Sequence, residues 1–194
     1  MGLGKQAKTL SRGQVEAVLG YLAKTRWPTR NRVIFLLSAK AGLRAKEIAS
    51  LTWRMVTDAR GQIGQAIHLA DTASKGQSGR VIPMNYELRT ALAAYAKTTI
   101  IASGNYLIES ERSNRMSAQA IVNLFWRWYQ HIGFDGCSSH SGRRTFITNT
   151  ARKISTVGGS LRDVQMLAGH SNLRTTQRYI EPNPDAQKKI VELV

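Results

Sequence analysis

The sequence predicts a mainly α-helical domain that carries one small antiparallel β-sheet. Apolar residues recur at helical spacing along most of the chain, and two short β-prone runs stand in its first half. The chain has 194 residues, of which 42% are hydrophobic, which is enough to bury one well-packed core. We therefore expect a single domain over residues 1–194, with its core at about 10–181 and a tail at 183–194.

Three helices are predicted before the β-prone runs. The segment 10–24 carries apolar residues at helical spacing after Ser11, a favourable N-cap residue. The stretch VIFLLSA within 30–40 has the apolar density of a buried helix, and Gly42 supplies a stop signal. A new start at 44–51 places Arg44 at a junction between two helices.

A small antiparallel hairpin is predicted next. The runs GQAIHLA (64–70) and GRVIPM (79–84) are β-prone, and the polar, glycine-containing DTASKGQS separates them. This arrangement puts Lys75 near the tip of the hairpin.

Helical patterns then continue to the end of the domain, at about 87–97, 118–131, 140–152, 161–168 and 175–180. The helix 118–131 carries the aromatic residues Phe125, Trp126, Trp128 and Tyr129, whose crowding favours packing in the core, with at most one ring left outside. Prolines at 182 and 184 are expected to break the chain before the tail DAQKKIVELV, a candidate docking helix.

The charge indicates a polyanionic partner. Lys and Arg number 28 against 12 Asp and Glu, which gives a net charge of +16. Neither a strongly amphipathic basic helix nor an apolar stretch of about 20 residues is present to favour a membrane. The N-terminus does not resemble a secretory signal, and the single cysteine, Cys137, fits a reducing compartment. We expect a cytoplasmic, nucleoid-associated protein.

The chemistry-bearing residues are concentrated in two late segments. LAGHSNLRTTQRYIEP places His170 nine residues before Tyr179, and HSGRRTFITNTAR places His140 three residues before Arg143, on one helix face. Cleaving a DNA phosphodiester without a metal requires a nucleophile, cations for the phosphate oxygens and an acid for the departing sugar oxygen. These segments, with Arg44, supply such groups.

The segments AGLRAKEIASLTW, HSGRRTF and LAGHSNLRTTQRYI, in that order, resemble the three signature boxes of the tyrosine recombinase (phage integrase) family. The resemblance spans about residues 10–181. It implies the family's catalytic-domain fold and site-specific recombination, integration or excision, by transesterification through a 3′-phosphotyrosyl DNA intermediate. It also implies that neither a metal nor ATP nor another cofactor is needed.

The resemblance assigns roles to the residues of the boxes. Arg44 and Arg143 would hold the non-bridging oxygens of the scissile phosphate, a task that suits forked guanidinium groups. Tyr179 would be the nucleophile, and because a phenol has an ordinary pKa of about 10, a proton acceptor is required, for which His140 is the candidate. His170 would hydrogen-bond the phosphate.

Two further positions support this assignment. Lys75 matches the family's mobile lysine that protonates the leaving 5′ oxygen, although Arg80 is a second cation near the hairpin. Glu47, one helical turn after Arg44, matches an acidic position that supports the cations from behind. Further phosphate contacts are expected from four arginines: Arg80, Arg112, Arg115 and Arg144.

The expected partner is double-stranded DNA, on which family members self-associate as tetramers, sometimes with accessory DNA-bending proteins. By analogy the tail would dock on a neighbouring subunit. Only about ten residues precede the first helix, so the family's N-terminal core-binding domain is expected to be absent, and the chain to be a fragment or a truncated relative. A bacterial or phage origin is expected.

Other functions compete with this interpretation. A metal-dependent nuclease would need clustered carboxylates, whereas the 12 acidic residues are scattered, and no zinc-binding spacing occurs. A catalytically inactive or regulatory DNA-binding relative would retain the fold and the charge, but the presence of Tyr179 with both arginines argues against it. A type IB topoisomerase or a telomere resolvase would use related chemistry.

Overall fold

The computed structural model describes residues 7–73, 79–99, 104–180 and 184–192, the last range without side chains at 184–186. Within these ranges the α-helices are α1 (Arg12–Leu22), α2 (Pro28–Ala41), α3 (Ala45–Ser50), α4 (Tyr86–Ala96), α5 (Ala118–His131), α6 (Ser141–Lys153), α7 (Leu161–Ala168), α8 (Leu173–Gln177) and α9 (Pro184–Val191). Short 3₁₀ turns follow α3 and α6, and another precedes the hairpin tip.

The predicted hairpin is present as two strands, β1 (Ala66–Leu69) and β2 (Arg80–Pro83). They pair antiparallel, with Ala66 opposite Pro83 and Leu69 opposite Arg80. Both strands are shorter than the β-prone runs. The predicted position of Lys75 at the tip falls in 74–78, outside the described residues.

Helix α2 is the centre of the core. Pro28 stands at its first position, where a missing N–H costs nothing, and five consecutive residues from Val33 to Leu37 are fully buried. The helix ends at Gly42, whose φ of +67° is left-handed. A Cβ added to Gly42 would lie 2.4 Å from the ring of Phe146 in α6. The chain therefore turns directly from α2 into α3 while α6 packs tightly over the turn.

A second, small apolar cluster organises the C-terminal part. Ile147 of α6 packs with Val164 and Ala168 of α7, and Tyr179 is one of the partly buried residues that surround them. This cluster fixes the chain that follows α8 against α6 and α7. It thereby places the C-terminal tyrosine next to the helix that carries Arg143.

The last helix of the domain differs from the prediction of 175–180. Helix α8 begins earlier because the Asn172 side chain accepts a hydrogen bond from the N–H of Arg174 at 2.8 Å, as an N-cap residue does. It ends at Gln177, so Tyr179 lies in a turn beyond the helix. The nucleophile candidate is thus held on a turn rather than on a helix face.

The aromatic residues of α5 behave largely as predicted. Phe125, Trp128 and Tyr129 are buried, whereas the side chain of Trp126 is 59% exposed. The tail also forms a helix, although Pro184 starts α9 instead of breaking the chain there, since proline is tolerated in a first helical turn. Ile190 and Val191 of α9 are exposed.

Candidate active site

Arg44 lies at the turn between α2 and α3, with its side chain directed at Glu47. Nη1 of Arg44 donates to Oε1 of Glu47 at 3.0 Å, and the backbone N–H of Arg44 donates to Oε2 at 2.8 Å. The Glu47 carboxylate thus accepts a hydrogen bond from a backbone N–H at the start of α3 and holds the Arg44 guanidinium in place. Glu47 is fully buried, whereas the Arg44 side chain is 24% exposed and remains accessible to a ligand.

Arg80 begins β2 and points into the protein. Nη1 and Nη2 donate to the two oxygens of Glu47 at 3.0 and 3.3 Å, and Nε donates to the carbonyl of Leu167 at 3.0 Å. Only 7% of the side chain is exposed. We expected a phosphate contact at this position, and the geometry counts against it. The carboxylate and the helix-end carbonyl already occupy the guanidinium, which makes Arg80 a buried partner of Glu47.

The two arginines set the protonation state of Glu47. Burial by itself would raise the pKa of this carboxyl, but the hydrogen bond and charge of Arg80, together with those of Arg44, hold it below its ordinary value. Glu47 is therefore ionised at neutral pH. It carries one negative charge between two positive ones, in a fully buried position.

Glu47→Gln is expected to lower the free energy of unfolding at neutral pH by about 3–5 kcal/mol, the usual cost of removing one partner from a buried ion pair. Because the folded-state pKa of Glu47 lies below its unfolded value of about 4.3, this stabilisation is present above that pH and is lost as the pH falls through the folded pKa. Urea unfolding at a series of acidic pH values should show a steeper decline in the wild type than in the variant.

Glu16→Gln provides the matched control. Glu16 pairs with Arg12 at 3.0 Å on the exposed surface of α1, where an ion pair contributes at most about 1 kcal/mol. Its removal should leave the unfolding curve nearly unchanged. A Glu47→Gln protein as stable as the Glu16→Gln protein would contradict the buried-pair interpretation.

Arg143, in the first turn of α6, connects three parts of the site. Nη1 donates to the carbonyl of Gly42, and Nη2 donates to the carbonyl of Ala168 at 2.8 Å and to Nε2 of His170 at 3.0 Å. The residue is 3% exposed. Burial, followed by the charge of Arg44, lowers the pKa of Arg143 to about 10, which leaves it protonated at neutral pH.

His170 follows Gly169, the left-handed residue that ends α7. The N–H of His170 donates to the Gln165 carbonyl at 3.1 Å, and Nε2 of Gln165 donates to the His170 carbonyl at 2.8 Å, so the backbone is fixed on both sides. Nδ1 of the ring lies 3.0 Å from Oγ1 of Thr176. Burial and the nearby positive charge of Arg143 lower the pKa of His170 to about 4, and the ring is neutral at neutral pH.

Tyr179 stacks on His170. The two ring centroids are 5.6 Å apart, with an interplanar angle of 24°. The N–H of Tyr179 donates to the Thr176 carbonyl at 3.0 Å, and the hydroxyl of Thr148 donates to the Tyr179 carbonyl at 3.4 Å. Tyr179 is half-buried, so its position is restrained while part of its surface remains open.

An open cavity of about 450 Å³ joins His140 to Arg143 and Tyr179. Its other lining residues are Ala7, Ser138, Arg144, Thr175 and Arg178. Partial burial, together with the charges of Arg143 and Arg44, lowers the pKa of His140. A neutral imidazole is able to accept a proton, so the cavity combines an acceptor, a cation and a phenol. A larger groove of about 710 Å³ along α1, α2 and α6 contains none of the candidate catalytic residues.

The remaining arginines are placed in different ways. Arg112 is exposed, and Arg144 lines the cavity beside His140. Arg115 is exposed as a residue, but its Nε donates to the Ala49 carbonyl at 3.1 Å and its guanidinium covers the ring of Tyr106 at 4.7 Å. Arg115 is therefore a structural bridge as well as a surface cation.

The structure brings five predicted catalytic side chains to one region: Arg44, His140, Arg143, His170 and Tyr179. Lys75, the sixth, falls outside the described residues. Among the residues that the structure describes, no group of three His, Cys, Asp or Glu side chains is arranged to hold a metal ion.

Two functional contacts were missed from the sequence. Strand alternation puts Arg80 on the same face as the buried Ile82, and this pattern could have indicated that Arg80 points inward. The contact between Thr176 and His170 had no comparable signal, because it joins a residue of α8 to one that lies before the helix begins. Its only hint was the place of Thr176 between His170 and Tyr179 in the third box.

The model of the phage integrase family matches residues 8–185. Since this match covers most of the sequence, the chain belongs to the phage integrase family. The tyrosine recombinase XerA of Thermococcus kodakarensis is 31% identical over 187 residues, which are 95% of this chain and 62% of the relative. The tyrosine recombinase XerD of Haemophilus influenzae is 28% identical and aligns with 84% of this chain and 54% of its own length. The chain thus spans less than two thirds of these relatives.

Solved structures confirm the predicted fold. The Tn1549 transposon integrase, solved in complex with a circular intermediate DNA, matches with a TM-score of 0.78 and 20% identity over 99% of this chain and 67% of its own. The XerA recombinase crystal structure matches with a TM-score of 0.73 and 24% identity over 95% of this chain and 64% of its own. This is the catalytic-domain fold of the tyrosine recombinases.

The relatives bear on the expected origin of the chain, and the helices of the structure bear on membrane insertion. They include archaeal as well as bacterial proteins, so the comparisons do not support the expectation of a bacterial or phage origin. In the described part of the chain, no helix has both the length and the apolar character that crossing a membrane requires.

Proposed function

We propose that this chain is the catalytic part of a site-specific DNA recombinase that cleaves and rejoins DNA through a covalent 3′-phosphotyrosyl link to Tyr179. The observation that carries the proposal is the open cavity where Tyr179 meets Arg143 and His140, with His170 stacked on the tyrosine ring. Membership of the phage integrase family supports it.

Phosphate binding falls to Arg44 and Arg143. Arg143 is held rigidly by two carbonyls, and Arg44 is anchored through Glu47 but partly exposed. Two forked cations so arranged suit the non-bridging oxygens of a phosphodiester, and they stabilise the additional charge of a pentavalent transition state. Because two carbonyls hold Arg143 and Glu47 holds Arg44, only the contact between Arg143 and His170 has to change when the phosphate binds.

The covalent step exchanges one phosphodiester for another. The phenolic oxygen of Tyr179 attacks phosphorus while its proton passes to the neutral imidazole of His140. The bond between phosphorus and the 5′ oxygen breaks, and that oxygen leaves with the electron pair and takes up a proton. By family resemblance Lys75 supplies this proton. Since the new bond is again a phosphodiester, a free 5′ hydroxyl reverses the step without ATP or a metal.

The DNA partner is inferred from charge and from the relatives. A net charge of +16 favours a polyanion, and the Tn1549 integrase was solved on DNA. We extend this to double-stranded DNA as the substrate, with Arg144 as a phosphate contact in the cavity and Arg112 and Arg115 as phosphate contacts elsewhere on the surface. Self-association as a tetramer, with accessory DNA-bending proteins, belongs to the same proposal.

The experiment that tests the proposal traps the covalent intermediate. Duplexes with a random sequence around a single nick are incubated with the protein, so that the short 5′-hydroxyl fragment formed by cleavage diffuses away and rejoining is prevented. We expect an adduct that survives SDS and, after proteolysis, a DNA-linked peptide that contains Tyr179. Sequencing the trapped DNA gives the target site.

Three other results would decide against the proposal. Salt-sensitive DNA binding without any adduct would favour an inactive or regulatory DNA-binding relative. Adducts that relax supercoiled DNA without exchanging strands between duplexes would favour a topoisomerase of type IB, and closed hairpin ends would favour a telomere resolvase.

Deleting residues 185–194 is expected to impair assembly on DNA more than DNA binding itself. Helix α9 carries the exposed apolar residues Ile190 and Val191, too few to form a core of their own, and we propose that they dock on a neighbouring subunit. Sedimentation of protein on DNA should change from higher complexes to single bound copies, with at most a several-fold loss of affinity. Lys188→Gln with Lys189→Gln separates loss of charge from loss of docking, and unchanged assembly after the deletion would rule out this role of the tail.

A further inference from the structure

Thr176 is the residue that joins His170 to Tyr179. Its hydroxyl lies 3.0 Å from Nδ1 of His170, and its carbonyl accepts the N–H of Tyr179 at 3.0 Å. The residue is fully buried and is the fourth of the five residues of α8. A change at the Thr176 side chain therefore alters the position of His170. Through the Thr176 backbone it also affects Tyr179, which stacks on His170.

The direction of the hydrogen bond in the free protein follows from Arg143. A guanidinium only donates, so Nε2 of His170, 3.0 Å from Nη2 of Arg143, must accept. The ring is neutral, and its single proton is therefore on Nδ1. Nδ1 donates to the hydroxyl of Thr176, which accepts.

A bound phosphate requires the proton of the His170 ring on the other nitrogen. Its oxygens accept hydrogen bonds, and a lone pair on Nε2 would repel them. If His170 is to contact the phosphate, Nε2 must carry the proton, and Nδ1 then needs a donor. The hydroxyl of Thr176 satisfies both cases, because a hydroxyl accepts in one orientation and donates in another.

We propose that Thr176 is a positioning residue that lets His170 change the ring nitrogen that carries its proton when the scissile phosphate binds. Water takes the proton from Nδ1 and gives one to Nε2, so the ring stays neutral, while the Thr176 hydroxyl rotates from acceptor to donor. Nη2 of Arg143, released from Nε2, turns to the phosphate. The part that concerns phosphate rests on the proposed function, whereas the proton position in the free protein does not.

Thr176→Val and Thr176→Ser form the test pair, because valine keeps the shape and removes the hydroxyl, whereas serine keeps the hydroxyl. Proteins with ¹⁵N-labelled histidine are compared by long-range ¹H–¹⁵N spectra, which distinguish protonated from unprotonated ring nitrogens, and His170→Asn assigns the signals. We expect a proton on Nδ1 in the free wild type and in both variants, because Arg143 still donates to Nε2. On addition of inorganic phosphate the proton should move to Nε2 in the wild type and in Thr176→Ser but not in Thr176→Val, which lacks a donor for Nδ1.

The spectra also contain the results that would overturn the proposal. A wild-type ring protonated on Nε2 in the free protein, or a Thr176→Val ring that responds to inorganic phosphate as the wild-type ring does, is incompatible with it. Melting temperatures identify a variant that has lost its fold, and the serine variant then decides the question alone.

Activity supplies the second readout. On trapping duplexes, Thr176→Val should form adduct about 10²-fold more slowly than the wild type at unchanged DNA affinity, the usual effect of misplacing a reacting group by about 1 Å. Thr176→Ser should restore the rate. Thr150→Val is the control, because its hydroxyl bonds only the Phe146 carbonyl at 2.8 Å within α6.

The two readouts separate the two claims. If the wild type forms no adduct, the proposed function fails, and the spectra still decide which ring nitrogen of His170 carries the proton and whether Thr176 is needed to change it. If adducts form and Thr176→Val is as fast as the wild type, the positioning role fails while the recombinase assignment stands.

Discussion

Tyr179→Phe is expected to abolish the covalent DNA adduct while leaving the fold and DNA affinity close to wild type. The substitution removes only the phenolic oxygen, the atom that we propose attacks phosphorus. The ring itself packs on the small cluster around Ile147 and stacks on His170, and phenylalanine keeps both contacts. The adduct is quantified by denaturing gel on nicked duplexes, and DNA affinity is measured separately by anisotropy.

The chain offers a matched control for this substitution. Tyr21 stacks on His131 with ring centroids 4.7 Å apart, so Tyr21→Phe also removes a hydroxyl from a tyrosine–histidine stack, and neither residue lines the cavity. It should form adduct at the wild-type rate. Adduct of equal yield from Tyr179→Phe would show that another residue is the nucleophile.

Arg143→Lys is expected to reduce the rate of adduct formation by about 10²–10³-fold, the range found when a transition-state donor is removed. Lysine keeps a charge but cannot bond the Gly42 and Ala168 carbonyls and His170 together, because its ammonium lacks the planar fork. A buried carbonyl left without a donor costs about 1–3 kcal/mol, so the melting temperature should also fall.

The pH profile distinguishes this variant from a merely unstable one. The burial that lowers the pKa of Arg143 to about 10 would lower that of a lysine from an ordinary value of about 10.4, which removes the charge at lower pH. Residual adduct formation should therefore decline toward alkaline pH sooner than in the wild type. Arg54→Lys, at an exposed position of a 3₁₀ turn, is the control. Equal rates and equal pH profiles for the two variants would refute the role assigned to Arg143.

The elements of this fold were predictable where local chemistry decides them. Gly42 marked the end of α2, Ser11 the start of α1, and the two β-prone runs the hairpin. The boundary of α8 was misplaced because the capping of Arg174 by Asn172 competes with the helical pattern of the following residues. A short-range hydrogen bond thus overrode the apolar periodicity.

The candidate site was predictable as a set of residues but not as a set of contacts. Order and spacing of three boxes identified Arg44, Arg143 and Tyr179, yet net charge gave no sign that Arg80 would be buried on Glu47. Excess cations are usually solvated, and although strand alternation could have indicated an inward Arg80, its carboxylate partner is found only in the folded structure. No single segment of the sequence predicts an ion pair between residues of two different segments.

The contact between Gly42 and Phe146 limits which motif sequences can be combined in one chain, in addition to fixing how the helices pack. The glycine ends α2 and belongs to the first box, the phenylalanine belongs to the second, and their closeness leaves no space for a side chain at position 42. Two motifs about a hundred residues apart are therefore one steric unit. A chimera that joins the first box of one relative to the second box of another can keep this turn only if glycine stands at position 42, facing the ring at position 146.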